Sequence, residues 1–364
     1  MLNLELITTG DQNALTGRCR LQEQLNRLLE ALEGAEKALI IPHNDPDPDA
    51  VASAAALQYL LLHKLNLPAE IVYDGIIGRA ENKALVNFLN TPLRRFNPED
   101  LEDNSRTAYL LVDSQPGSGN NPLTVDQPVA VVIDHHPPLE NNNLAIVSII
   151  TPELGATSTI LTEFLRLANL QPTRELATAL FYGIKSDTRG LSRGTSPADI
   201  AAYFYLQPLI DVDALVEIEQ AQVPSEYFQS LAMTLQNARV YGDAIFAYIG
   251  KTEYPDMAAE MADLLLRIEQ IRWAICMNTF ENQMIISVRT QNPNGGADDL
   301  VKHIANGIGS AGGHGMLAGG QIHLDHQDPG ELAHLLLKRT LSYFNLPQDL
   351  EGQPLVDRKP LDLP

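Results

Sequence analysis

The run Leu39-Ile40-Ile41-Pro42-His43-Asn44-Asp45-Pro46-Asp47-Pro48-Asp49 brings one imidazole and several carboxylates to a single turn, directly after an apolar β-type stretch. A hydrophobic strand aims its last residues at one place, so His43, Asp47 and Asp49 can converge on a cation if the turn folds back. Oxygen-rich ligation with one imidazole suits Mn²⁺ or Mg²⁺ better than a thiolate zinc site. Pro46 and Pro48 fix φ and hold the residues before them extended, which lowers the entropy of presenting alternate acids. Read alone, the same residues equally describe an acidic turn with Asp49 as helix N-cap.

Further along, two nearly continuous apolar runs, 107–112 and 128–133, each close on an aspartate, Asp113 and Asp134. Buried parallel strands read this way, and α/β sheets bind ligands at the carboxyl ends of such strands. Asp134-His135-His136 follows the second run; neighbours on an extended segment point to opposite sides, so the two histidines are expected to do different jobs. A helical stretch over 173–185 leads into Ser186-Asp187-Thr188-Arg189-Gly190, with Asp187 held at the helix end and Gly190 as its stop. Five carboxylates and up to three imidazoles in one place would repel one another severely without bound cations. Two divalent metals about 3.5–4 Å apart, sharing one carboxylate and a bridging water as nucleophile, would resolve this, and hydrolysis of a phosphate ester or anhydride is the chemistry served. Each motif is weak by itself; their order along the chain carries the reading.

The elements that must hold these groups follow from the rest of the pattern. At 364 residues the chain is long enough for two separate cores. Helices are expected over 19–32, from Asp49 to 65, and over 80–89, 156–167, 197–206 and 212–218, with a strand over 70–73. A boundary is expected within the polar segment 219–226. Beyond it, helices over 227–237, 255–268 and 331–343, strands over 272–279 and 283–290, and hairpin strands around Tyr241-Gly242-Asp243 read as α+β. The tract from Gly307 to Gly320 is glycine-rich with His314 inside it; glycine amides approach anions closely, and the imidazole adds a donor. The expected fold is therefore α/β: a parallel-sheet domain flanked by helices over 1–222, a smaller domain with a mixed or antiparallel sheet over 223–346, and a loose tail over 347–364.

Composition bounds the partners. A formal net charge of −21 repels polyanions at long range and argues against a duplex DNA track. Cys19 and Cys276, far apart, indicate neither a disulfide framework nor a thiolate metal cage. Residues 1–10 lack a secretory pattern, and the apolar run 50–62 is too short to span a membrane, so a cytoplasmic protein is expected.

The order of motifs resembles the DHH phosphoesterase superfamily: His43-x-x-x-Asp47-x-Asp49, strand-terminal Asp113, Asp134-His135-His136, Asp187 in Ser-Asp-Thr, and Gly312-Gly313-His314, similar to the signature of the associated C-terminal domain. The length fits its short two-domain branch, which includes nanoRNases, 3′-phosphoadenosine-5′-phosphate phosphatases and cyclic-dinucleotide phosphodiesterases. The resemblance implies one ion on His43, Asp47 and Asp113, and a second on Asp49, Asp113, His135 and Asp187, with Mn²⁺ ahead of Mg²⁺ or Co²⁺. It implies Asp134 orienting this set, His136 beside the scissile phosphate as stabiliser or proton donor, and an active site in an interdomain cleft. There Arg289, Gly312, Gly313 and His314 would grip substrate.

Several residues depart from the family pattern. Pro48 stands where Gly is frequent, Ser114-Gln115-Pro116-Gly117 lacks an arginine often found after the strand, and Ala311 replaces a glycine. Arg189 and Arg193 stand in a region that is commonly glycine-rich and are read as substrate contacts. The expected substrate is a short oligonucleotide or small phosphorylated nucleotide, with polyphosphate, pyrophosphate or a cyclic dinucleotide as alternatives. An inactive nucleotide-binding regulatory module is disfavoured because every ligand position is filled. No membrane partner is expected, and a homodimer is left open.

Overall fold

The computed structural model describes residues 12–101, 106–139 and 145–356, apart from the side chains of residues 12–18 and His314. The chain forms two compact units that divide between Ala221 and Gln222.

In the first unit the elements run α1 (Gln12–Ala31), β1 (Lys37–Ile41), α2 (Pro48–Leu65), β2 (Ala69–Tyr73), α3 (Ala80–Leu89), β3 (Leu93–Arg95), β4 (Thr107–Val112), β5 (Val129–Asp134), β6 (Ala145–Ile150), α4 (Thr157–Leu167), α5 (Arg174–Asp187), α6 (Pro197–Leu206) and α7 (Val212–Glu219). Six strands pair in the order β3-β2-β1-β4-β5-β6, every pair parallel. A parallel sheet needs cover on both faces, and the period of two along the strands supplies it. Ala38, Ile40, Leu110, Val112, Val131 and Ile133 enter one core with α2, α4 and α5, while Leu39, Ile41, Tyr109, Leu111 and Val132 enter another on the opposite face. From β1 the strand order runs one way through β2 and β3 and the other way through β4 to β6. The β1/β4 junction is thus the switch point where a ligand crevice opens at the carboxyl ends.

Helix α2 begins one residue earlier than the sequence indicates. Asp47, not Asp49, is its N-cap: the Asp47 side chain accepts from the Ala50 N–H at 3.0 Å, and Pro48 opens the first turn, where a missing N–H costs nothing. The alternative of Asp49 as cap is corrected, and Asp49 is left for other work. Strands β3 and β6 had no sequence expectation; β3 is only three residues long, and both lie at the sheet's edges.

The second unit contains α8 (Ser225–Asn237), β7 (Arg239–Tyr241), β8 (Ala244–Lys251), α9 (Met257–Leu265), β9 (Trp273–Phe280), β10 (Gln283–Thr290), α10 (Ala297–Ala305), β11 (Ser310–His314), β12 (Leu317–His323), α11 (Pro329–Tyr343) and β13 (Gln353–Pro354). Its seven strands are ordered β11-β12-β10-β9-β8-β7-β13. Only β8 and β9, joined through α9, are parallel, so the sheet is mixed. Met284, Ile286 and Val288 point into a core closed by α10 and α11.

Two expectations are refined here. The glycine tract, for which no element was expected, mostly forms the hairpin β11–β12, with Gly312 opposite Gly319 and Gly313 opposite Ala318. Gly313 has φ 145°, and a Cβ there would lie 2.5 Å from Ala318 Cα, so only glycine lets these backbones meet. The segment after 347 is not wholly loose, because β13 pairs with β7 and the Leu355 N–H donates to the Ala238 carbonyl at 3.1 Å. Residues 357–364, like residues 1–10, lie outside the described residues. Among the described residues no helix is long and apolar enough to cross a membrane.

Candidate metal centre

The loop after β1 folds back as its composition suggests. Asp45 takes φ 54° and accepts the Ile76 N–H on Oδ1 at 2.6 Å, latching this loop to the one after β2. His43 donates from Nδ1 to the Asn44 carbonyl at 2.7 Å. A carbonyl only accepts, so Nδ1 carries a proton and Nε2 is left to face other partners. It lies 3.7 Å from Asp47 Oδ1 and 3.6 Å from Asp113 Oδ2.

Asp113, one residue past β4, is buried and sits in the left-handed region at φ 56°, a conformation that short polar side chains tolerate best. Its N–H donates to the Ile133 carbonyl at 2.8 Å, which anchors it to β5. Its two oxygens face different partners. Oδ2 faces His43, whereas Oδ1 accepts the Thr157 hydroxyl at 2.8 Å and lies 3.6 Å from His135 Nε2.

His135 repeats the pattern of His43. Nδ1 donates to the Leu154 carbonyl at 3.2 Å, and Nε2 stands 3.3 Å from Asp187 Oδ2. This Nε2 is buried and has no hydrogen-bond partner. Asp187 is the last residue of α5, so the helix end delivers it. Asp49 is gripped by the start of α4: Thr157 N–H donates to Oδ2 at 2.7 Å and Ser158 N–H to Oδ1 at 2.8 Å. Ala156 supplies no capping side chain, so Asp49, 108 residues away, satisfies the open end of that helix and meets its positive pole.

Asp134, buried at the end of β5, accepts from His136 Nδ1 at 2.8 Å and from the His136 N–H at 3.1 Å, both on Oδ1. His136 Nδ1 is also 3.6 Å from Asp113 Oδ1. At 37% side-chain exposure His136 is the most open of the three imidazoles; His43 is 17% and His135 13% exposed.

The electrostatics are those of a cluster lacking positive charge. Burial, then Asp113 and Asp187, push Asp49 well above the ordinary carboxylate range. Burial also raises Asp113, with His135 and His136 opposing. Asp187 rises to about 6 through burial and the neighbouring Asp47. Burial works against charge on His43, but Asp47 and Asp113 outweigh it and lift the imidazole to about 10; His135 is raised similarly by Asp187, Asp113 and Asp49. Metal-free, the cluster therefore holds extra protons.

The donor set fits divalent cations. Three overlapping groups, Asp113 with His135 and His136, His43 with Asp47 and Asp113, and Asp49 with His135 and Asp187, each keep their ligand atoms within 4.8 Å of one another. The 3.3–3.7 Å separations from the His43 and His135 Nε2 atoms exceed good hydrogen bonds, yet match two donors that each reach ~2.1 Å to one ion. His43 and His135 both commit Nδ1 to a backbone carbonyl, which is how ligating imidazoles are usually held.

Of the other residues singled out in sequence, Arg193 donates from Nη2 to the Asp187 backbone carbonyl at 3.0 Å, and Arg189 is exposed at φ 48°. Arg289 belongs to the second unit, where Nε donates to Asp263 Oδ1 at 3.1 Å and the side chain is 12% exposed. Gly312, Gly313 and His314 lie in β11, with the His314 side chain outside the described residues. Ser287 Oγ, two residues before Arg289 on β10, is buried without a partner. Sequence reasoning missed Thr157, Ser158 and Gln115 as site residues. The small hydroxylic start Gly155-Ala156-Thr157-Ser158-Thr159 was the signal for the first two.

The model for the N-terminal domain of the DHH family matches residues 37–184. An uncharacterized protein of Methanocaldococcus jannaschii is 36% identical over 301 residues, spanning 81% of this chain and 60% of that protein. A probable manganese-dependent inorganic pyrophosphatase of Bacillus velezensis is 30% identical over 182 residues, spanning 49% of this chain and 57% of that protein. The chain thus spans about 60% of the length of these relatives. In fold, the chain is similar to a crystal structure of an exopolyphosphatase-related protein from Bacteroides fragilis, with TM-score 0.65 and 17% identity, covering 88% of this chain and 96% of that one.

Proposed function

We propose that this chain, whose residues 37–184 match the model for the N-terminal domain of the DHH family, is a divalent-metal-dependent hydrolase of phosphoester or phosphoanhydride bonds. The observation that carries the reading is the buried His135 Nε2, unpartnered and facing Asp113 and Asp187 while Nδ1 is committed to Leu154. Without metal the raised imidazoles and carboxyls meet this crowding of charge with extra protons, and a divalent cation on Nε2 and the carboxylates would take their place. One ion would be held by His43, Asp47 and Asp113, and a second by Asp49, Asp113, His135 and Asp187. When bound, such ions supply Lewis acidity and an ionised water at neutral pH.

The chain's own groups do the rest. The two oxygens of Asp113 face the two halves of the set, and the Thr157 hydroxyl favours the orientation that turns Oδ1 towards His135. Asp134 keeps a proton on His136 Nδ1, and the exposed imidazole stands ready to steady or protonate the substrate's phosphoryl oxygens. The preferred substrate is a short oligonucleotide or small phosphorylated nucleotide, with Arg289, Gly312, Gly313, His314, Arg189 and Arg193 as its contacts, a choice that rests on the motif resemblance. A second reading, inorganic pyrophosphate, is favoured by the likeness to the Bacillus velezensis protein, and polyphosphate, which shares the same anhydride bond, goes with it.

The test is an assay of purified protein with Mn²⁺ on dinucleotides, 3′-phosphoadenosine 5′-phosphate, pyrophosphate and polyphosphate. Turnover that chelation abolishes is expected. Cleavage of pyrophosphate or polyphosphate alone selects the second reading, and no turnover of any of them refutes both.

A further inference from the structure

Gln115 lies two residues past Asp113 in the loop after β4 and is buried. Both ends of its amide are engaged. Nε2 donates to Asp134 Oδ2 at 2.6 Å and to the Pro137 carbonyl at 3.1 Å, while Oε1 accepts from the Leu139 N–H at 2.9 Å. Asn121, also buried, holds the Gln115 backbone by donating from Nδ2 to its carbonyl at 3.0 Å. One side chain therefore ties the loop after β4 to the loop after β5.

Asp134 is consequently gripped from both sides: Gln115 occupies Oδ2, and His136 occupies Oδ1 through its backbone N–H and its ring Nδ1. A carboxylate held on one oxygen alone can rotate about its Cβ–Cγ bond and release the imidazole; one held on both cannot. Burial disfavours the charge on Asp134, yet the hydrogen bonds from His136 and Gln115 hold it below the ordinary carboxylate range.

We propose that Gln115 is a positioning residue which, acting through Asp134, locks the His136 imidazole in one orientation with its Nδ1 proton on Asp134 and its other edge presented to substrate. The proposal rests on the hydrolase reading above. Gln115 donates to Asp134 and to backbone carbonyls, not to the residues assigned to the ions, so it should govern the reaction step rather than metal retention.

Two variants test it. Gln115→Met keeps length while removing both polar arms; Gln115→Glu keeps the acceptor for Leu139 but sets a second carboxylate against Asp134. With a substrate that the parent turns over, kcat should fall ~10–100-fold in both. KM and the Mn²⁺ dissociation constant, the latter by calorimetry, should stay within about threefold. Independently of activity, proton spectra of ¹⁵N-histidine-labelled, Mg²⁺-loaded parent should contain a downfield Nδ1 proton protected from solvent exchange. It should be absent in His136→Gln and broadened in Gln115→Met.

Three results would overturn the proposal: no such protected proton in the parent, kcat within twofold of parent in both variants, or a loss of Mn²⁺ affinity equal to the loss of kcat, which marks a mere loop staple. If the parent hydrolyses nothing, the hydrolase reading fails, and the spectra still decide the role of Gln115.

Discussion

Asp187→Asn should make the metal-free protein more stable while removing most of its response to metal. The Asp187 carboxylate is held up to about 6 by burial and by Asp47, against about 3.9 in an unfolded chain. The folded state thus binds this proton more tightly than the unfolded one, and the ionised form opposes folding. Nothing is lost below pH ~3.9; the penalty grows as pH climbs towards 6 and is complete above it. Each tenfold in a protonation equilibrium is worth ~1.4 kcal/mol, which sets a ceiling of about 3 kcal/mol. The side chain keeps 20% exposure, so solvent screening reduces this to roughly 2 kcal/mol. For a domain of this size that raises Tm by about 4–8 °C at pH 8, with the gain vanishing near pH 4. The assay is thermal unfolding of chelator-treated parent and variant across pH 4–8, repeated with Mn²⁺. Parent should gain ~2.7 kcal/mol when Mn²⁺ is a hundredfold above its dissociation constant, and the variant far less. A variant that melts at or below the parent at pH 8, or that gains as much from Mn²⁺, would refute the reasoning.

Thr157→Val deletes the hydroxyl that donates to Asp113 Oδ1 at 2.8 Å and should cost ~1.5–3 kcal/mol in chemical denaturation, with a 10–100-fold weaker Mn²⁺ affinity by calorimetry. In Gly183→Ala the new Cβ would lie 2.4 Å from Ser158 Oγ and 3.2 Å from Asp49 Cα, so overpacking of ~1–3 kcal/mol and reduced metal binding are expected; unchanged unfolding would mean that α5 and α2 can part freely. With a thiol reagent at neutral pH, exposed Cys19 should react at once, and Cys276, whose thiol burial raises, only on unfolding. Two fast equivalents in the native protein would contradict the packing around β9.

Much of the architecture was readable from local pattern: the continuous apolar run of a buried parallel strand marks β4 at 107–112, and the expected helix over 80–89 and strand over 283–290 coincide with α3 and β10. The ligand-type residues that follow strands were likewise legible, since the carboxyl ends of parallel strands share one edge of an α/β sheet, and Asp187 returns to that edge because α5 follows α4 with no strand between them. What sequence could not supply is partnership across distance. Asp49 was read against its own helix, whereas the groups that hold it start α4, 108 residues later. Gln115 looked like the absence of an arginine and is a bridge between two loops. The glycine tract suggested anion contacts and no strands, because composition registers the lack of side chains, not the close strand approach that requires it.

The last described strand also bears on how this protein behaves in a crowded solution. Gln353 and Pro354 lie along β7 as a final, two-residue rung, and proline brings no amide with which a further chain could continue the ladder. Clipping the polypeptide ahead of Gly352 would bare Arg239, Val240 and Tyr241 to any extended segment seeking a partner, whereas fusions placed after Val356 would leave this stopper in position.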